Sequence, residues 1–218
     1  MAQKIRILLV DDHPLVREGL ANLIHQQPDM EVCGEAASEP QALQLIGGSG
    51  PDVAVVDISL ENGSGLELIK NIKAMHPTVA MLALSMHDES LYAERALRAG
   101  ARGYLMKREA AKKVIQGIRA VLGGQLFVSE KITALMAEKF VEGRTAPASP
   151  VDQLSDRELE VFQLLGRGQT TRQIADHLHV GFKTVQAYCA RIKEKLQLSN
   201  ATELLRAAMQ WNDKQPEK

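Results

Sequence analysis

The first half of the chain alternates short runs rich in apolar residues with longer segments in which apolar residues recur at helical spacing. Five runs have the length and content of strands: residues 4–10, 31–36, 53–57, 79–85 and 103–106. Continuously apolar runs such as VAVV are typical of a parallel sheet that helices cover on both faces. The alternation therefore predicts a doubly wound, five-stranded parallel α/β domain with right-handed crossovers. We expect the flavodoxin-like strand order 2-1-3-4-5.

The segments between these runs predict helices. Pro14 suits the first turn of the first helix. One face of that helix collects the apolar residues Leu15, Val16, Leu20, Leu23 and Ile24. The second helix is predicted around residues 40–46, with Gly47 and Gly48 ending it. A loop at 61–65 leads into a third helix, to about residue 76, and two more are predicted over about 90–99 and 110–122.

Beyond Gly124 the strand pattern disappears. Apolar spacing predicts a linker helix over 129–141, and the small, proline-containing stretch at 143–150 predicts a flexible hinge. Ser155, followed three residues later by Glu158, forms a capping box that opens the next helix.

Three further helices are predicted over about 171–178, 183–196 and 201–211. The first two, joined by a short turn, have helix-turn-helix proportions. We therefore predict a first domain at 1–124, a linker helix and hinge at 125–150, and an all-α helix-turn-helix domain at 151–212.

Composition narrows the class of protein. The formal net charge is −1, so any nucleic-acid-binding surface has to be local. Cys33 and Cys189 lie far apart without ligand-like spacing, which favours a reducing compartment and no structural zinc. No apolar run approaches the ~20 residues of a bilayer-spanning helix, and the amino terminus begins with a strand instead of a signal peptide. We expect a soluble, cytoplasmic protein without a membrane partner.

Carboxylates follow two neighbouring strands of the predicted sheet. Asp11 and Asp12 leave the first strand and Asp57 ends the third, at the edge where open α/β sheets bind ligands. Carboxylates this close together either retain a proton or recruit a cation. Oxygen ligands with room for water suit Mg²⁺, and the backbone carbonyl of Ser59 could complete the set. An oxygen of Asp57 is then placed to attack a phosphoryl group and form an acyl phosphate.

Two more strand ends support this site. Ser85 can donate a hydrogen bond to a phosphoryl oxygen, and Lys107 can reach the same group as a point charge. Any one of these residues alone is more simply explained as a solvated loop end. Their coincidence at successive strand ends of one sheet edge favours a reactive site.

The motifs LLVDDH, VVDISL, LALS and GARGYLMK resemble the acid pair, phospho-acceptor, switch hydroxyl and lysine of two-component receiver domains. The resemblance implies that Asp57 accepts phosphate from a partner histidine kinase or from small acyl phosphates. It also implies that Tyr104 is the aromatic switch, whose ring turns inward as Ser85 moves toward the phosphoryl group; a strand-packing role is the alternative for this tyrosine. Arg108 stands where many receivers have a proline in a cis peptide bond. Ser59 and His87 resemble positions that tune acyl-phosphate lifetime.

The stretch from Leu154 to Leu196 resembles the LuxR-type DNA-binding domain, so the whole chain is similar to NarL/FixJ-type response regulators. The resemblance implies three groups of DNA contacts: residues at the start of the first helix of the pair, residues along the recognition helix, and residues that contact DNA phosphates. These contacts would come from Thr170, Thr171 and Arg172, from Lys183, Thr184, Gln186, Ala187, Tyr188 and Ala190, and from Arg191 and Lys195.

Four positions depart from the common residues of the LuxR-type domain. Gln186 stands where lysine is common, Tyr188 where histidine is, Gly181 where serine is, and Ala201 where arginine is. The lower charge predicts a shallower salt dependence of DNA binding and more reliance on amide and methyl contacts to bases. By their spacing, Val185, Ile192 and Leu196 are predicted to be core residues.

These observations favour a phosphorylation-dependent transcription regulator. Phosphorylation would promote a homodimer, or release the helical domain from the receiver, so that two recognition helices meet DNA half-sites. RNA polymerase is a further partner that the resemblance allows. An Mg²⁺-dependent phosphatase with an aspartyl nucleophile is one alternative, although no general acid or substrate cap is evident. A helical domain that binds protein instead of DNA is the other.

Overall fold

The computed structural model describes residues 4–60, 64–86, 89–141 and 149–213 of the 218-residue chain. Most of the predicted loop at 61–65, His87, and the predicted hinge up to residue 148 lie outside these residues. The chain divides into two compact units, Met1–Glu138 and Lys139–Lys218. The predicted regions 1–124, 125–150 and 151–212 stay a prediction. No described helix is both long enough and apolar enough to cross a membrane.

The first unit contains a five-stranded sheet whose neighbouring strands all run parallel. The strands are β1 (Ile5–Val10), β2 (Met30–Ala36), β3 (Val53–Asp57), β4 (Ala80–Ser85) and β5 (Gly103–Met106). Their order, β2-β1-β3-β4-β5, confirms the prediction. The order changes direction between β1 and β3, and this switch point brings their carboxyl ends together.

Among the described residues, six helices lie between Pro14 and Val141. They are α1 (Pro14–His25), α2 (Glu39–Ser49), α3 (Gly65–Met75), α4 (Glu89–Ala99), α5 (Lys107–Leu122) and α6 (Glu130–Val141). Helix α5 begins at Lys107, three residues before its predicted start. Helix α2 continues through Gly47 and Gly48, so its predicted end was wrong. It stops at Gly50, where φ is +54° and the left-handed conformation suits glycine.

The core of this unit lies on both faces of the sheet. Alternate strand residues such as Ile7, Val55 and Leu82 join a buried cluster with α1 and α5, while the intervening residues are buried as well. A buried aliphatic side chain of this size contributes roughly 1.5–3 kcal/mol. Leu15 departs from the predicted apolar face of α1, because it is 82% exposed at the start of the helix.

The second unit is helical. After a 3₁₀ turn at Pro150–Gln153 come α7 (Asp156–Gly166), α8 (Thr171–His177), α9 (Phe182–Lys195) and α10 (Ala201–Asp213). The predicted capping box is confirmed: the Glu158 amide donates to the Ser155 side chain, and the Ser155 amide donates to Glu158.

The core of the second unit joins α7, α9 and α10. Val185 and Ile192 are fully buried, as predicted, whereas Leu196 is only half-buried. The Phe162 and Trp211 rings lie 5.9 Å apart between centroids. Such a pair favours a tilted arrangement like the one observed here.

Candidate functional site

The carboxyl ends of the strands bring the predicted reactive residues to one edge of the sheet. Asp57 is the last residue of β3 and Ser85 the last of β4, while Asp11 follows β1 and Lys107 follows β5. Asp11, Asp57 and Ser85 are each at most 1% exposed. Close packing holds this edge: a Cβ atom on Gly65, the first residue of α3, would lie 2.0 Å from the Asp57 carbonyl oxygen.

Lys107 joins the two buried acids. Its Nζ lies 2.7 Å from Asp11 Oδ2 and 2.7 Å from Asp57 Oδ2. The side chains of these three residues are 6%, 2% and 1% exposed, so water screens the charges only weakly. The ammonium therefore offsets part of the negative charge that the strand ends bring together.

Burial controls the protonation of this site. It raises the pKa of Asp57 to about 6; Lys107 opposes the rise, and the charge of Asp11 adds to it. The Ser59 amide also donates to Asp57 Oδ1 at 3.1 Å, which favours the ionised form. Burial acts to lower the pKa of Lys107, but the two carboxylates outweigh it and raise that pKa. The ammonium of Lys107 therefore remains charged while the Asp57 carboxyl titrates near neutrality.

Asp11, Asp12 and Asp57 together form a candidate cation site, which also includes His13. Each of the four residues offers one ligand atom, and these atoms lie within 4.8 Å of one another. The His13 ring nitrogen Nδ1 lies 2.8 Å from Asp12 Oδ1, and the His13 amide donates to Asp11 Oδ1 at 2.9 Å. A set of oxygens on adjoining strand ends fits Mg²⁺. His13 was not among the predicted ligands, although its position directly after the acid pair was the available signal.

The predicted switch residues lie on neighbouring strands. Ser85 pairs with Met106, and Tyr104 pairs with Ala83, in the β4–β5 ladder. Tyr104 is only 3% exposed, so its ring already faces the interior in this structure. The structure contains no cis peptide bond among the described residues, and Arg108 lies within α5.

The predicted recognition helix α9 presents small, polar and basic side chains to solvent. Its residues Lys183, Thr184, Gln186, Ala187, Ala190 and Arg191 are exposed, whereas Tyr188 is half-buried. Thr170 caps α8 in a capping box with Gln173, and Thr171 begins the helix. Small and amide side chains therefore occupy much of the exposed surface.

Lys195, a predicted phosphate contact, forms an ion pair within its own domain. Its Nζ donates to Glu158 Oε2 at 2.6 Å and to the Gln153 carbonyl at 3.2 Å. Glu158 is only 3% exposed. Burial acts to raise the pKa of Glu158, but bonds from Lys195 and from the Ser155 amide outweigh it and lower that pKa. The pair thus ties α9 to α7, and the predicted phosphate contact of Lys195 would use its remaining N–H.

Comparison with known proteins finds two family models. Residues 7–119 match the response regulator receiver domain, and residues 152–208 match the bacterial regulatory proteins of the luxR family. The oxygen regulatory protein NreC of Staphylococcus carnosus is 34% identical over 210 residues, which cover 94% of this chain and 97% of that protein.

Solved structures show the same architecture. A LuxR-family two-component response regulator from Aurantimonas is 37% identical; the alignment covers 64% of this chain and 99% of that one, with a TM-score of 0.59. RcsB from Salmonella enterica serovar Typhimurium, bound to a promoter in the presence of the phosphomimetic BeF3−, is 23% identical. Its alignment covers 95% of this chain and 100% of that chain, with a TM-score of 0.64, and supports the fold.

Proposed function

The chain belongs to the NarL/FixJ-type response regulators, which join a receiver domain to a LuxR-type DNA-binding domain, and on this basis we propose that phosphorylation of Asp57 controls its binding to DNA. This family consists of transcription factors and not of enzymes. The observation that carries the proposal is the buried trio at the strand ends, in which Lys107 lies 2.7 Å from both Asp11 and Asp57.

Asp57 is the phosphoryl acceptor in this proposal. One of its carboxylate oxygens forms a bond to phosphorus as the bond from phosphorus to the donor breaks, and the product is an acyl phosphate. The donor is a phosphohistidine on a sensor kinase or a small acyl phosphate. Lys107 stabilises the negative charge of the transferred group, and the Ser85 hydroxyl donates a hydrogen bond to it. Tyr104 and Ser85 together form the switch that responds to the phosphoryl group on Asp57.

The donor set suits Mg²⁺. Asp11, Asp12 and Asp57 would hold the ion through carboxylate oxygens, and Ser59 through its backbone carbonyl. When bound, the ion supplies neutralising charge for the phosphoryl oxygens. The protein supplies Asp57 in its ionised form. Burial disfavours this form, and the positive charge of Lys107 favours it.

The helical domain is the proposed DNA-binding unit. Helix α9 would enter the major groove and α8 would contact the backbone, through the residues that the family resemblance implies. Two copies would bind half-sites about one turn apart, through a homodimer or through helical domains released from their receivers. We place the protein in the cytoplasm, with a histidine kinase and promoter DNA as partners and RNA polymerase as a further one.

The intact mass of the protein after incubation with acetyl phosphate tests the acceptor. We expect the wild type to gain one phosphoryl group only when Mg²⁺ is present, and Asp57→Ala to gain none. Asp52→Ala is the matched control, because Asp52 is an exposed carboxylate just before the start of β3. A phosphoryl group that remains on Asp57→Ala would refute the assignment of the acceptor.

Truncation tests the mode of control. The helical domain alone, beginning after Pro150, is compared with the full chain on fragments selected from a genomic DNA pool. Binding that matches the phosphorylated full chain supports release from inhibition, and much weaker binding supports dimerisation. Retention of no fragment by the phosphorylated chain at low salt would favour a protein-binding role for the helical domain.

A further inference from the structure

We propose that Arg17 is a positioning residue for the acid pair Asp11 and Asp12, on which it acts through their shared peptide group. This inference rests on the proposed function of the strand-end site. Arg17 lies in the first turns of α1, and its side chain is 18% exposed. Its Nη1 donates to the backbone carbonyl oxygen of Asp11 at 2.6 Å. Arg17 therefore contacts the backbone of the site through its guanidinium group.

The carbonyl that Arg17 binds lies beyond the end of the sheet ladder. The Asp11 amide donates to the Ala36 carbonyl at 3.1 Å, and the β1–β2 register ends there, at the pair Val10 and Ala36. Asp11 is 1% exposed, and a buried carbonyl requires a hydrogen-bond donor. Arg17 is the donor that the described part of the chain provides for it.

The hydrogen bond fixes the orientation of both acids. The Asp11 carbonyl belongs to the planar peptide that joins Asp11 to Asp12, so holding its oxygen sets the plane from which both side chains leave. The Asp11 carboxylate is held separately, by the His13 amide at Oδ1 and by Lys107 at Oδ2. Arg17 is therefore the contact that orients the backbone and not the carboxylate.

A second contact orients the guanidinium itself. Its Nε donates to Glu35 Oε2 at 3.3 Å, so the planar group bridges the end of β2 and the end of β1. Lysine would keep the positive charge but lacks the fork geometry that reaches both partners. This difference separates a positioning role from a general effect of charge.

Arg17 would not bind the metal itself but would hold residues that do. Loss of a contact of this kind typically weakens metal binding by about 10–100-fold. We expect this loss of Mg²⁺ affinity in Arg17→Met, and we expect Arg17→Lys to recover little of it. Arg119→Met is the matched control. Arg119 also pairs through two nitrogens, with Asp29, but at the opposite edge of the sheet, where the Asp29 carbonyl accepts from the first residue of β1.

The experiment is a calorimetric titration of the full-length protein with Mg²⁺ at constant ionic strength. Phosphorylation by acetyl phosphate is measured in parallel at limiting and at saturating Mg²⁺. We expect the Arg17 variants to be slow at limiting Mg²⁺ and to recover toward the wild-type rate as Mg²⁺ saturates. The unfolding midpoint of each variant establishes that it is folded, and Arg17→Lys serves if Arg17→Met does not fold.

The outcomes separate the two proposals. A wild type that binds no Mg²⁺ would overturn the proposed metal site and this inference with it. If the wild type, Arg17→Met and Arg119→Met all bind Mg²⁺ equally well, the inference about Arg17 is overturned and the proposed metal site stands. Wild-type affinity in Arg17→Lys would also overturn it, because charge without the fork would then be sufficient.

Discussion

Replacement of Asp57 by asparagine should stabilise the metal-free receiver at neutral pH. Burial raises the pKa of this carboxyl from 3.8 to about 6, and 3.8 approximates its value in the unfolded chain. A raised pKa means that ionisation is less favourable in the folded state. The stability that the protonated carboxyl contributes is therefore fully present below pH 3.8 and is lost as the pH rises through about 6. Asparagine has no charge to bury at any pH.

The size of the effect follows from the two pKa values. One pKa unit corresponds to about 1.36 kcal/mol, so a rise from 3.8 to about 6 corresponds to about 3 kcal/mol when the carboxyl is fully ionised. At pH 5 the carboxyl is mostly protonated in the folded state, and the same linkage gives a destabilisation of about 1.6 kcal/mol. The advantage of Asp57→Asn should therefore grow by about 1.4 kcal/mol between pH 5 and pH 8.

Urea unfolding with EDTA present, at pH 5 and pH 8, measures this difference. Trp211 is the only tryptophan of the chain and packs in the helical domain, so its fluorescence follows that domain, whereas circular dichroism at 222 nm follows both. The unfolding of the receiver is therefore the part of the circular dichroism change that has no counterpart in tryptophan fluorescence. Glu18→Gln, at an exposed position on α1, is the control. Equal stability of wild type and Asp57→Asn at pH 8 would refute the reasoning, as would an advantage that shrinks as the pH rises.

Three other substitutions have defined consequences. Gly65→Ala should destabilise the receiver by about 1–3 kcal/mol or more, measured by circular dichroism in urea, because its Cβ would meet the Asp57 carbonyl oxygen at 2.0 Å. Lys107→Met should raise the pKa of Asp57 above about 6, because an opposing cation is lost; a carboxyl ¹³C NMR titration measures it, and an unchanged midpoint would contradict it. Lys195→Met should destabilise the helical domain by about 1–3 kcal/mol, seen in tryptophan fluorescence, because it leaves buried Glu158 without its charged donor. Unchanged unfolding would argue that water replaces that donor.

Short motifs were sufficient to identify the family, and the pattern of apolar runs was sufficient to predict the strand order. The apolar runs fix which segments are buried on both faces, and a buried parallel strand places its last residue at the edge where ligands bind. Asp11, Asp57, Ser85 and Lys107 could therefore be grouped without coordinates. The capping box at Ser155 was predictable because its two hydrogen bonds join residues three positions apart.

Other features depended on contacts between distant segments. The hydrogen bond from Arg17 to the Asp11 carbonyl depends on where α1 packs against the end of β1. The pairing of Lys195 with Glu158 depends on how α9 packs against α7, and in the sequence that lysine resembles any exposed basic residue. The end of α2 was mispredicted because two glycines weaken a helix without ending it, and the left-handed conformation of Gly50 ends it.

The sequence by itself determined the topology, the two domain types and which residues meet at the strand ends, because these depend on local periodicity and on short motifs. Only the tertiary structure decided how the charges of that site balance. The near-neutral pKa of Asp57 depends on how deeply the carboxyl is buried and on its distances to Lys107 and Asp11, which are 50 and 46 residues away along the chain. Desolvation and Coulomb interactions depend on separation in space, and the order of residues in the sequence does not specify it.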